Sequence, residues 1–350
     1  MGNSAGDIQV NRPRSVAGGF RRRLGVAIAR VSWVYLIAAI GLWAVVRFAG
    51  DRWWAATLLL FGPLWGAAVA LAILLPAALL FCRRALLPLA ATSAVLGFGV
   101  LGVCFPWRTW IHRSHGGPRL RVFTCNVHDD FVNYTDLRNL LEEAQPDIVI
   151  LQEAGHFRWN APPGDENWNW RRNRELFIAS RYPIVNTIDY TKASWYEWGG
   201  VAVRYDIAAP GGTLHLFNLH LASPHMPFAD VIDNKPHGVD RLRRHLDVRA
   251  EQSAQLSALA HGAGDNVILG GDFNTLCQGS IYQHNWSSFS DAFTAAGLGI
   301  GHTYFGEGAA VRIDHILSGP AWQFRHCWVG PDVGSPHRPV IADLECTTRK

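Results

Sequence analysis

Three long apolar runs open the chain, and beyond them the pattern changes to short apolar runs broken by turns. Residues 24–46 are interrupted only by Arg30, while 53–82 and 85–107 carry no charge. A membrane-spanning helix needs about 20 apolar residues, so each run predicts one span. Pro63 and Pro76 predict a kink or an end inside the middle run. A cleaved leader would show a single, shorter apolar core.

After a short Gly-containing linker the runs become β-like. Residues 120–127, 147–151, 176–180, 200–205, 214–221, 266–270, 310–317, 322–329 and 339–344 predict strands, and 134–144 and 239–261 predict helices. This alternation predicts an α/β or α+β domain with two packed sheets. The chain then divides into a tail (1–23), a three-helix anchor (24–110), a linker (111–118) and a globular domain (119–350).

Charge sharpens the division. The net +4 averages two unlike parts: residues 1–116 hold twelve Arg, no Lys and only Asp7 and Asp51, so the remainder carries −6. A long nucleic acid is met with a basic footprint, so DNA or RNA is the less favoured partner. Arg21, Arg22, Arg23, Arg83 and Arg84 predict a cytoplasmic N-terminus and an extracytoplasmic globular domain. Arg12 and Arg14 agree; Arg108, Arg113, Arg119 and Arg121 argue the other way. The six cysteines show no metal-binding spacing, and Cys327 and Cys346 fit either a disulfide or two free buried thiols.

Polar residues at the strand ends carry the chemistry. Asn126 ends the first strand, Glu153 follows DIVILQ, and His220 sits in NLHL. Asp272 and Asn274 lie in GGDFN, Asp314 in RIDHIL and His337 in SPHRPV. Taken singly these have ordinary readings: a Gly-Asp turn, a helix N-terminal acid, a core histidine. Together, carboxylates, a carboxamide and histidines are what a hard divalent cation and a phosphate require.

In this order the motifs resemble the endonuclease/exonuclease/phosphatase superfamily over residues 119–345. The resemblance implies a four-layer α/β sandwich, two packed mixed β-sheets flanked by helices. It also implies a metal-dependent phosphoesterase. Glu153 and Asn126 would then form the metal site for Mg²⁺ or Mn²⁺, and Asp272 would orient or deprotonate the attacking water. His220 and Asn274 would contact the phosphate, and Asp314 would hold the imidazole of His337. Pro336 stands where the superfamily usually has an aspartate, which predicts weakened metal binding and leaves room for a non-catalytic receptor. Trp168 and Trp170, in an insertion rich in tryptophan, predict contact with substrate or with the lipid bilayer. His128, Asp129, His302 and Thr303 read as loop or rim residues. The expected protein is a multi-pass membrane phosphoesterase whose substrate is a lipid-linked phosphate or phospholipid head group, with a nuclease as the alternative.

Overall fold

The short apolar runs after residue 118 pair into two six-stranded mixed sheets. The computed structural model of the chain describes residues 16–111, 114, 116–129, 131–159, 167–192, 195, 200–233, 235–306 and 309–347. Arg12, Arg14 and Arg113 lie outside these. In chain order the strands are β1 (Arg119–Asn126), β2 (Ile148–Gln152), β3 (Asn169–Asn173), β4 (Leu176–Ser180), β5 (Ile184–Asp189), β6 (Val201–Ala209) and β7 (Gly212–His220). They continue as β8 (Val267–Asp272), β9 (Ser290–Asp291), β10 (Tyr304–Gly306), β11 (Ala309–Val311), β12 (Asp314–Ser318), β13 (Trp322–Val329) and β14 (Val340–Cys346). One sheet runs β13-β14-β1-β2-β4-β3 and the other β5-β6-β7-β8-β12-β9, with β10 and β11 as a separate hairpin.

Each sheet has one parallel pair at its middle, β1 with β2 and β7 with β8. Strands buried on both faces need apolar residues at successive positions rather than alternating ones, as in Ile148–Gln152, where every residue is buried. Val122, Ile150, Ile178, Val203, Leu216, Ile268 and Ile316 meet in the core between the sheets. Leu137, Leu140 and Leu141 of the helix Tyr134–Ala144 cover the outer face of the first sheet with Phe123 and Val149. Leu256 and Ala260 of the helix Gly238–Gly262 cover the second with Phe217 and Leu269. Burying each of these Val, Leu, Ile and Phe side chains contributes about 1.5–3 kcal/mol. The class is α+β, two mixed sheets flanked by helices, as expected.

Local differences from the expected pattern have local causes. The run 310–317 splits into β11 and β12 because Thr303 Oγ1 accepts the N–H groups of both Ile313 and Asp314, taking them out of a ladder. Cys327 and Cys346 are not joined in a disulfide. The register sets Cys346 opposite Trp322 and Cys327 opposite Ala342, about four residues apart along β14 and beyond disulfide reach.

The apolar N-terminal part also differs from expectation. Among the described residues, two helices are long and apolar enough to cross a membrane, Gly19–Ala49 and Leu64–Phe81, rather than three. The middle run breaks at Gly62 and Pro63, leaving Trp54–Phe61 as a separate helix. Pro63 has no N–H to continue a helix and disfavours helical backbone in the residue before it. The third run forms Leu86–Ala94 and a π-turn, Val95–Val100, short of a full crossing. Ile28, Ala78, Ala85 and Leu89 pack together within this part. By compactness, Met1–Leu42 and Trp65–Leu96 form one unit, while Trp43–Leu64 joins Gly97–Lys350 in the other.

Gly271 illustrates how tightly the second sheet is built. Its φ of +136° suits glycine, and a Cβ there would stand 2.0 Å from the Leu219 carbonyl oxygen of β7. Gly271→Ala is expected to destabilise the fold by at least about 3 kcal/mol, the range of backbone strain combined with overpacking. Chemical denaturation would measure this, and a loss under 1 kcal/mol would contradict the close approach.

Candidate active site

The two parallel strand pairs end at the same edge of the sandwich, and their registers bring the polar residues together. Asn126 pairs with Gln152 at the end of β1 and β2, directly before Glu153. His220 pairs with Asp272 at the end of β7 and β8, and Asp314 opens β12 opposite Asp272. His337 lies in the loop before β14 and bridges to Tyr304.

Asp272 is the centre of this cluster and is 2% exposed. Its Oδ2 lies 3.8 Å from Nε2 of both His220 and His337 and accepts from Asn126 Nδ2 at 3.2 Å. Its Oδ1 accepts the Asn274 N–H at 2.9 Å. Asn126 Nδ2 also donates to Glu153 Oε1 at 2.8 Å, and Glu153 Oε1 lies 3.7 Å from His220 Nε2. Each imidazole has a carboxylate behind it. Asp314 Oδ2 is 2.9 Å from His337 Nδ1, and Glu175 Oε1 is 2.5 Å from His220 Nδ1.

These contacts set the charges. Burial opposes a charge on His220, but Glu175, then Asp272 and Glu153, outweigh it and raise its pKa to about 10. Burial likewise opposes a charge on His337, and Asp314 with Asp272 raises its pKa to about 9. Burial and the Asp314 charge raise Asp272 to about 6 against the pull of the two imidazoles. At neutral pH the site is therefore a carboxylate held between two imidazolium ions.

The seven residues expected from the strand-end motifs converge, though not all in the roles implied for them. Asn126 turns its amide nitrogen towards Glu153 and Asp272, while its oxygen accepts the His128 N–H at 3.1 Å. So oriented it holds the carboxylates rather than offering a cation an oxygen. The Asn274 amide nitrogen donates to the Leu221 carbonyl at 2.8 Å instead of reaching outward. Trp168 is buried against Trp159 and Phe177 and is engaged in packing. Trp170 is half-exposed on edge strand β3, separated from β2 by β4. Thr303 is fully buried behind Asp314 rather than on a rim. His128 does reach the site edge, with Nε2 4.0 Å from Glu153 Oε2.

Glu175 is the residue that sequence reasoning missed. It stands in the turn before β4, whose antiparallel register with β2 returns it beside Glu153. An acid directly ahead of LFIAS was its only trace. Backbone geometry marks the same locale: His128, Glu153 and Asn274 all have φ between 45° and 48°. Non-glycine residues adopt that conformation at a cost, and they collect at functional sites.

Oxygen donors suited to a hard divalent cation are present in Glu153, Asp272 and Asp314. Asp272, Asp314 and His337 bring ligand atoms within 4.8 Å of one another. An imidazolium has no lone pair to give, however, and His337 is held in that form by Asp314 and Asp272. Glu153, with a third of its side chain exposed, is the better anchor, because water can complete the shell there.

The sequence model described as the endonuclease/exonuclease/phosphatase family matches residues 123–337. Among solved structures, a family protein from Bacteroides thetaiotaomicron is similar at 17% identity and TM-score 0.49, covering 66% of this chain and 96% of that one. A 3′-5′ exonuclease from Neisseria meningitidis is similar at 17% identity and TM-score 0.48, covering 65% and 100%. Humanized D. rerio TDP2 is similar at 15% identity and TM-score 0.47, covering 65% and 99%. No curated protein matches.

Proposed function

The chain belongs to the endonuclease/exonuclease/phosphatase family and is a metal-dependent phosphoric ester hydrolase; from that premise we propose that it acts at a membrane surface, on a lipid-linked phosphate or a phospholipid head group. The observation that carries the location is that residues 50–63, between the two long apolar helices, fall in the same compact unit as the catalytic fold. A segment and a domain folded as one unit lie on one side of any bilayer. The chain between them then crosses an even number of times, and Gly19–Ala49 adds one more. With the arginine-rich N-terminus cytoplasmic, an extracytoplasmic active site needs the third run to cross as well, although its helical part, residues 86–100, is shorter than the other two. The −6 balance beyond residue 116 supports a small or lipid phosphate over a long polyanion.

In the proposed reaction water attacks phosphorus and the P–O ester bond breaks. Asp272 takes the water's proton, being the buried carboxylate that lies within 3.8 Å of both histidines. His220 and His337, kept protonated by Glu175 and Asp314, neutralise the phosphoryl charge and supply a proton to the leaving oxygen. Asn126 fixes Glu153 relative to Asp272. A Mg²⁺ or Mn²⁺ ion held by Glu153 would polarise the phosphoryl oxygen.

Turnover is expected to rise through about pH 6 as Asp272 loses its proton and to fall through about pH 9 as His337 loses its own. A bound cation would shift the lower limb further down, since positive charge opposes protonation of Asp272. A kcat–pH series would check the signs; turnover still climbing above pH 10 would exclude an imidazolium role.

A phosphate-release panel tests the substrate class. Full-length protein in detergent with Mg²⁺ would be given lipid phosphates, inositol phosphates and plasmid DNA, with Asp272→Asn alongside. Release from lipid phosphates is the expected result. Ready cleavage of DNA with nothing released from lipids would leave the nuclease reading instead.

A further inference from the structure

The segment Trp43–Leu64 reaches the back of the active site through one buried ion pair. Asp51, in the turn after the first long apolar helix, is bonded by Arg249 Nη2 at 2.9 Å, and their side chains are 0% and 1% exposed. The guanidinium also lies over the Phe61 ring, 5.7 Å from its centroid. Its other amino group, Nη1, donates to the main-chain oxygen of Asn274 at 2.8 Å. Asn274 is the left-handed residue (φ +48°) whose N–H holds Asp272. Three hydrogen bonds thus join the interhelical turn to the carboxylate proposed as the base: Asp51 to Arg249, Arg249 to Asn274, Asn274 to Asp272.

The turn is built to deliver that carboxylate. Asp51 itself has φ +62°, a strained backbone for a non-glycine residue. It is held there by its own N–H on Thr57 Oγ1 at 3.2 Å and by Ser280 Oγ donating to Gly50 O at 2.7 Å. Gly279 leaves the space, since a Cβ there would stand 2.2 Å from Asp51 Oδ2. An isolated guanidinium sealed at 1% exposure is strongly disfavoured, so Arg249 stays beneath Asn274 only while Asp51 balances it.

We propose that Asp51 and Arg249 are positioning residues of the active site: the turn between the apolar helices sets the conformation of the Asp272–Asn274 loop. The proposal rests on reading Asp272 as the hydrolytic carboxylate. It differs from a merely structural ion pair because it predicts a loss of turnover in protein that remains folded.

The test uses the full chain in lipid nanodiscs, with bis(p-nitrophenyl) phosphate and Mg²⁺ as the probe. Asp51→Asn keeps the shape and removes the charge. The double variant Asp51→Leu/Arg249→Met replaces the pair with apolar groups of similar volume, a change that commonly preserves stability. The double variant is expected to keep a melting temperature close to wild type and lose about 10²-fold in kcat, the scale of a misplaced catalytic group. KM should move less than threefold. Amide hydrogen exchange in a peptide spanning residues 269–279 should rise at least tenfold, with exchange in β1 and β2 unchanged. Unaltered exchange in that peptide in a folded double variant overturns the proposal, as does wild-type kcat. If wild type and Asp272→Asn turn the probe over equally, the hydrolase reading fails, and the exchange measurement still decides whether Asp51 sets the loop.

Discussion

Asp272→Asn is expected to lower kcat by about 10³-fold while leaving the fold intact. A general base contributes about 10²–10⁴-fold, and Asp272 is the carboxylate shared by Asn126, His220 and His337. Asparagine matches its shape and can still accept the Asn274 N–H that Oδ1 now takes at 2.9 Å. It cannot take a proton, and it removes the negative charge that helps keep His337 protonated. Steady-state kinetics beside a thermal melt would separate the effects. A folded variant within threefold of wild type would remove Asp272 from the reaction.

Glu153→Gln should instead act through the cation. We expect the Mg²⁺ concentration for half-maximal activity to rise by about 10–100-fold or more, since loss of even an outer-shell partner costs that much at metal sites. Glutamine keeps an oxygen for Asn126 Nδ2, now 2.8 Å from Glu153 Oε1, so the local bonding survives. Titration of EDTA-treated protein with Mg²⁺ reads the shift. An unchanged Mg²⁺ requirement in Glu153→Gln, with a shifted one in Asp314→Asn, would move the cation to the Asp272–Asp314–His337 group. With a proline rather than an acid at 336, Glu153 would carry more of the binding on this proposal, and the comparison tests that directly.

Much of this was legible before any coordinates. Runs such as DIVILQ declare a buried strand because each residue is apolar or lies at the end, and the last polar position of each run falls at one edge by topology. That placed Asn126, Glu153, His220, Asp272, Asp314 and His337 in one region. Helix Tyr134–Ala144 was also readable to its ends, because Asn133 accepts the N–H groups of Thr135 and Asp136 at its start. Contacts distant in sequence were not readable. Glu175 meets His220 across 45 positions and Asp51 meets Arg249 across 198, and no periodicity reports either. Side-chain direction was equally hidden: which end of the Asn126 amide faces the carboxylates depends on the His128 N–H, a backbone detail. The break in the second apolar run was foreshadowed by Pro63, yet apolar content alone could not tell a spanning helix from Trp54–Phe61, which belongs to the catalytic unit.

The pairing of Asp51 with Arg249 bears on how this enzyme should be produced for assay. A soluble fragment begun after the last apolar run would contain the cation but not its counter-ion, and it would also lack Phe61. Such a preparation would fold around an unbalanced charge or let water in behind Asn274. Its weak activity would then reflect the cut rather than the natural rate.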